Sequence, residues 1–195
     1  MNFPAQLHRF TVGEYHRLTH AEILPLAERT ELLNGVILTM VAKGQAHASA
    51  TQRSMRCLLQ SCGDRATVRT QDPVTLNDDS EPEPDIAIVQ PDPLDYVTHH
   101  PQPHEIWLIL EIADTSLKYD RGVKALAYAQ AGIEDYWVLD LIDRRLHVFR
   151  QPATSGYQQE LILAETLTVS PIAFPDLEIP IHNLLPPIVP PNETV

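Results

Sequence analysis

The stretch from 104 to 151 constrains this chain more than any other. It holds none of the 17 prolines, although seven fall in 73–103 and eight in 152–195. Proline lacks a backbone donor and breaks regular elements, so an uninterrupted core is expected in this window. Within it EIWLILEIA (105–113) and DYWVLDL (135–141) are almost continuously apolar. That is the pattern of strands buried on both faces. Between them SLKYDRGVKALAYAQAGI (116–133) reads as a helix, with Thr115 or Ser116 as N-cap and Gly132 as the stop. Its expected core stripe is Tyr119, Val123, Leu126 and Ala127. Strand, helix and strand in this order make a right-handed βαβ unit. RRLHVFR (144–150) then pairs back on the last strand as a hairpin. The fold class is α/β.

The rest of the chain supplies shorter elements. Residues 11–18 read as a helix capped by Thr11. RTELL and VILTM flank Asn34-Gly35, a dipeptide that favours a tight hairpin because both positions tolerate positive φ. Residues 46–62 form a helix closed by Gly63, with Met55, Leu58 and Leu59 at apolar spacing. ATVRTQDPVTL (66–76) is one strand or two, interrupted at Pro73, and PDIAIVQ (84–90) is a strand between prolines. If 84–90 and 105–113 pair antiparallel with residue numbers summing to 196, Asp85 lies opposite Glu111. A chain of 195 residues is most simply one domain, here residues 1–185 followed by a proline-rich tail, 186–195.

Charge first argues against a phosphate ligand. The formal net charge is -12, and phosphate binding draws on Lys and Arg. The charge is segregated, however. Residues 1–71 carry +3, residues 72–103 carry -8 with no base, and 152–195 add five acids alone. The local field matters more than the total. No apolar run reaches the ~18 residues of a membrane span, and MNFPAQLHRF has no secretory pattern. Cys57 and Cys62 lack metal-site spacing and read as reduced, helix-embedded thiols. A cytoplasmic protein without a membrane partner is expected.

Two acids at the ends of apolar strands carry the candidate chemistry. A single strand-end acid most often just meets solvent. Two carboxylates held close repel, and a hard oxygen-ligated ion such as Mg²⁺ or Mn²⁺ relieves that repulsion. Asp85 and Glu111 are therefore candidate metal ligands. On the following helix Asp120, Lys124 and Tyr128 are spaced i, i+4, i+8 and share a face. As a simple surface pair, Asp120 and Lys124 would contribute a few tenths of a kcal/mol. Thirteen residues beyond Glu111, the Lys124 ammonium can instead reach past the strand ends to both acids.

The order of ELLNG (31–35), a histidine at His47 opening a helix, PEPDIAIV (82–89) and LEIADTSLKYDRGVKALAYAQAGIEDYWVLD (110–140) resembles the Uma-two family of restriction-endonuclease-like proteins, abundant in cyanobacteria. The resemblance covers about residues 10–185 and places the chain in the PD-(D/E)xK nuclease superfamily. It implies a restriction-endonuclease-like mixed β-sheet flanked by helices, with an N-terminal helix and β-hairpin. It implies Asp85 and Glu111 as the metal ligands. The superfamily lysine normally follows the second acid by two residues, where this chain has Ala113, so the resemblance points to Lys124 on the next helix. Glu31 falls on the glutamate of the ELxxG motif as a further acidic group, and Asp120 matches an aspartate that orients the lysine.

The function so implied is metal-dependent hydrolysis of DNA phosphodiester bonds, with Arg53, Arg56, Arg65, Arg69, Lys118 and Arg121 as backbone contacts. A homodimer would suit cutting both strands. The alternatives are a catalytically silent nuclease-fold protein that binds nucleic acid or a protein partner, and a hydrolase of some smaller phosphoester. Other motifs are weaker. His99, His100 and His104 sit in a proline-rich loop lacking a fourth zinc ligand and read as loop residues. His47 reads as a hydrogen-bonder, either at its own helix end or beside the site, rather than as a metal ligand. Ser116 has no histidine to complete a hydrolytic triad.

Overall fold

A computed structural model describes residues 7–24 and 29–188. The chain opens with α1 (Val12–His20), whose Thr11 cap forms a reciprocal capping box with Glu14. A two-stranded hairpin follows, β1 (Thr30–Leu33) and β2 (Val36–Thr39). Its turn has φ of 51° at Asn34 and 71° at Gly35, as the dipeptide predicts. A Cβ on Gly35 would lie 2.4 Å from that of Arg9, so this turn needs glycine for space as well as for φ. The long helix α2 (Gln45–Cys62) ends at Gly63, again in the left-handed region.

Six strands build the main sheet in spatial order β3 (Thr67–Thr70), β4 (Ile86–Val89), β5 (Ile106–Ala113), β6 (Asp135–Asp140), β7 (Arg145–Ala153) and β8 (Gly156–Ala164). All neighbours are antiparallel except β5 and β6, which run parallel and are linked by a helix, α3 (residues 117–130). This is the expected βαβ unit in a mixed sheet. Of 66–76 only β3 is strand, ending before Pro73, while β8 is an edge strand whose alternation the sequence shows only faintly. The segments Thr168–Val169 and Ile179–Pro180 form a small separate ladder. Of the proline-rich tail, residues 189–195 lie outside the described residues.

The sheet is buried on both faces because its central strands are apolar at nearly every position. Within each strand residue parity divides the two faces, apart from Ile106 and Trp107 at the β5 register shift. Ile86, Ile88, Leu108, Leu110 and Trp137 pack against α2 and the C-terminal Ile179–Leu185 segment. Ala87, Val89, Ile109, Ala113, Tyr136 and Val138 pack against Ala125, Ala127 and Tyr128 of α3. At ~2 kcal/mol for each large apolar side chain buried, these two clusters are the main favourable term in folding. Glu111 has the parity of Ile109 and Ala113, so the alternation alone directs its carboxylate toward α3.

The helix α3 departs from the sequence reading. Its middle, Asp120–Lys124, is a π turn between the α-helical Leu117–Tyr119 and Ala125–Gln130. Val123 and Leu126, expected in the core, are 49% and 39% exposed, whereas Asp120 and Lys124 are buried. The polar line Asp120–Lys124–Tyr128 faces the sheet because carboxylates there require the ammonium. That requirement outweighs burial of two aliphatic side chains. Such π turns recur where a side chain must be re-aimed at a functional site. In α2, Leu59 is likewise turned out, 45% exposed, while Leu58 is buried.

Candidate active site

The site begins with strand register. Ile86 pairs with Leu110, Ala87 with Ile109 and Ile88 with Leu108, so the sum-196 register holds until a bulge at Val89. Asp85 and Glu111 are thereby neighbours at one end of the β4–β5 pair. The Asp85 N–H donates to Glu111 Oε2 at 3.3 Å, and the Ile112 N–H donates to Asp85 Oδ2 at 2.9 Å. Each carboxylate thus accepts a backbone N–H from beside the other acid, a charge-assisted bond that fixes the pair relative to the sheet.

Helix α3 delivers the base. Lys124 Nζ lies 2.9 Å from Glu111 Oε1 and 3.3 Å from Glu31 Oε2, and the Tyr128 hydroxyl donates to Glu111 Oε1 at 2.9 Å. Asp120 makes its short contact with the Ser116 hydroxyl, at 2.5 Å, rather than an ion pair with Lys124. Its influence on the lysine is through space. Glu31 comes from β1 and also accepts the Glu83 N–H at 3.1 Å, which ties the hairpin to the acidic PEPD segment.

Two groups approach Asp85 from the other side. His47, in the first turn of α2, places Nε2 3.2 Å from Asp85 Oδ2, so this nitrogen serves the site rather than its own helix end. Lys43, in the loop between β2 and α2, places Nζ 2.6 Å from Asp85 Oδ1. Sequence reasoning missed Lys43. The available signal was its position as the only base between the hairpin and the helix that carries His47.

These residues line a cavity of about 350 Å³ bounded by the 38–44 segment and residues 111–124. Four buried carboxylates (Glu31, Asp85, Glu111 and Asp120) face the two ammoniums of Lys43 and Lys124. Ionised throughout, they would leave a surplus of two negative charges. Burial pushes the Glu111 carboxyl up to about 8 against the pull of Lys124, and the negative charge of Asp85, Asp120 and Glu31 adds to the rise. Asp120 is raised to about 6, chiefly by burial. For Asp85 burial acts upward too, but hydrogen bonding and charge from His47, then Lys43, hold it down at about 2. Burial disfavours the Lys124 ammonium, yet Glu111, Glu31 and Asp120 raise its pKa above the ordinary value. Lys124 therefore keeps its proton, and the surplus negative charge is relieved on Glu111.

A hard dication fits this donor set. The candidate ligands are carboxylate oxygens, and the surplus charge equals that of one Mg²⁺ or Mn²⁺. Among the described residues no three His, Cys, Asp or Glu side chains are placed to hold an ion by themselves. Magnesium commonly takes only one or two carboxylates and completes its shell with water and substrate phosphate. Of the four oxygens of Asp85 and Glu111, Glu111 Oε2 and Asp85 Oδ1 are the less committed, each with one partner among the described residues.

The remaining expectations divide. Arg65 pairs with Asp176, Arg69 with Asp72 and Arg121 with Glu160, so these three are tied into the surface. Arg53 and Arg56 share a pocket on the outer side of α2 and have no carboxylate partner among the described residues. His99 pairs with Glu105 instead of converging with His100 and His104 on one centre. Both cysteines are free, with thiol pKa values raised by burial. No helix among the described residues is long and apolar enough to cross a membrane.

A mixed sheet carrying paired acids and a buried lysine at one strand end has the architecture of a nuclease fold. The chain belongs to the Uma2 family, described as "putative restriction endonuclease", whose model matches residues 12–182. Its fold is similar to that of a "putative nuclease" of the DUF820 group from Anabaena variabilis ATCC 29413. The TM-score is 0.70 at 17% identity, over 90% of this chain and 97% of that one. No curated protein matches.

Proposed function

We propose that the protein is a metal-dependent endonuclease that hydrolyses DNA phosphodiester bonds. The observation that carries this reading is the convergence of Asp85, Glu111 and Lys124 in one cavity, with Lys124 Nζ 2.9 Å from Glu111. Asp85 and Glu111 would hold Mg²⁺ or Mn²⁺. A bound dication would polarise the phosphate and acidify a water. Lys124, charged and paired with Glu111 and Glu31, would orient that water or stabilise negative charge developing on phosphorus. Tyr128 fixes Glu111, His47 fixes Asp85, and Glu31 holds Lys124 from the hairpin side. Asp120 steadies the lysine's charge without touching it. Arg53 and Arg56 supply unpaired charge for the DNA backbone.

A second reading is a silent nuclease-fold protein that binds nucleic acid or a protein partner. It is favoured by the ammonium partners that both metal-binding acids already have. Supercoiled plasmid incubated with Mg²⁺ or Mn²⁺ separates the two. Nicking or linearisation that disappears in Asp85→Ala and Lys124→Ala supports the enzyme. Equal cleavage by those variants sinks the site assignment, and no cleavage by the wild type favours the silent reading.

A further inference from the structure

The two lysines at the site are held in different ways. Lys124 is 5% exposed, sits on a helix and has two carboxylate partners at 2.9 and 3.3 Å. Lys43 is on the irregular 40–44 loop, its side chain is 21% exposed, and its only ion pair or hydrogen bond among the described residues is to Asp85 Oδ1. Asp85 Oδ2 is already taken by the Ile112 N–H and His47. Oδ1 is thus the oxygen of Asp85 left to an incoming cation, and the Lys43 ammonium covers it at 2.6 Å.

We propose that Lys43 is a displaceable internal counter-ion: it covers Asp85 Oδ1 in the metal-free protein, and divalent-metal binding drives it off. This rests on Asp85 being a metal ligand, as proposed above, and adds a competitor built into the chain. A carboxylate buried beside three others is costly unless cations and hydrogen bonds offset it. His47 and the Ile112 N–H hold Asp85 Oδ2, and Lys43 adds a cation on Oδ1 when no dication is bound. A lysine suits that role because its flexible stem and point charge accept one oxygen and release it without rebuilding a fork of bonds. Lys124 cannot serve, since leaving Glu111 would strand two buried acids. The exposed neighbours Val41 and Ala42 on the same loop give Lys43 room to swing outward.

The test uses the full chain and metal alone, without reference to cleavage. The protein has three lysines, Lys43, Lys118 and Lys124, so amine acylation read by mass spectrometry resolves all of them. Exposed Lys118 is the internal standard and buried Lys124 the protected one. Adding Mn²⁺ should accelerate acylation of Lys43 relative to Lys118. By calorimetry, Lys43→Met and Lys43→Gln should bind Mn²⁺ about tenfold more tightly than wild type, and Lys43→Arg should stay near it. Two neutral variants, each checked for a wild-type thermal melt, guard against misfolding of one. Equal Mn²⁺ affinity in wild type and neutral variants, with Lys43 acylation unchanged, overturns the counter-ion and leaves the metal site standing. No Mn²⁺ binding in wild type or variants overturns both.

Discussion

The α3 face of the site and the loop face solve the same electrostatic problem in opposite ways. On the α3 side, buried Lys124 and Tyr128 both hold Glu111 Oε1, and Glu31 shares the lysine. On the loop side a single partly exposed lysine covers Asp85. The carboxylates answer differently as well: Glu111 is pushed up to about 8 and Asp85 held down at about 2. Each acid has three partners, so their number does not separate them. Deeper burial and three neighbouring carboxylates raise Glu111, while His47 and Lys43 hold Asp85 down.

The largest test of this contrast is Lys124→Met. It leaves Glu111 and Glu31 without their shared cation and should cost about 3–5 kcal/mol of stability, measured by urea denaturation. A loss below about 1 kcal/mol would mean that the α3 face is no tighter than the loop face.

The pH dependence comes next, with opposite signs for the two acids. The folded pKa of Glu111 lies above its unfolded value of 4.5, so its contribution in metal-free protein is full below pH 4.5 and is lost as pH rises through about 8. The folded pKa of Asp85 lies below 3.8, so its contribution is present above 3.8 and is lost as pH falls through about 2. Glu111→Gln should therefore flatten the alkaline side of a stability–pH curve and leave the acid limb in place.

A smaller effect is expected of Tyr128→Phe, which removes one hydrogen bond to Glu111 and should cost about 1.5–3 kcal/mol by the same denaturation assay. Lys43→Met should be the mildest, about 0–1 kcal/mol in metal-free protein, because a partly exposed single pair contributes little. Were its cost to match that of Lys124→Met, the contrast between the two faces would fail.

The sequence carried the fold where long-range packing and local pattern agree. The two apolar strands, the helix between them and the Asn34-Gly35 turn are each written in the order of the residues, and the β4–β5 register followed from placing Asp85 opposite Glu111. It misled where a site overrides packing. Val123 and Leu126 have core chemistry, yet a π turn gives their place to Asp120 and Lys124. Lys43 was illegible for another reason: no periodicity governs an irregular loop, so the direction of its side chain depends on an acid 42 residues away. The Tyr128 contact with Glu111 was half legible, its helix face predicted but not its partner.

The division of the sheet into two faces has an optical consequence, with Trp107 set on the α2 side by the register shift that skips it. The protein's two tryptophans, Trp107 and Trp137, both belong to the α2-side cluster, and the candidate site lies against the opposite face with tyrosines as its aromatic neighbours. Tryptophan emission should therefore follow unfolding of the sheet while staying nearly blind to a cation entering the site. Tyrosine absorbance near Tyr128 should register that entry. One cuvette can then follow the scaffold and the chemistry as separate signals.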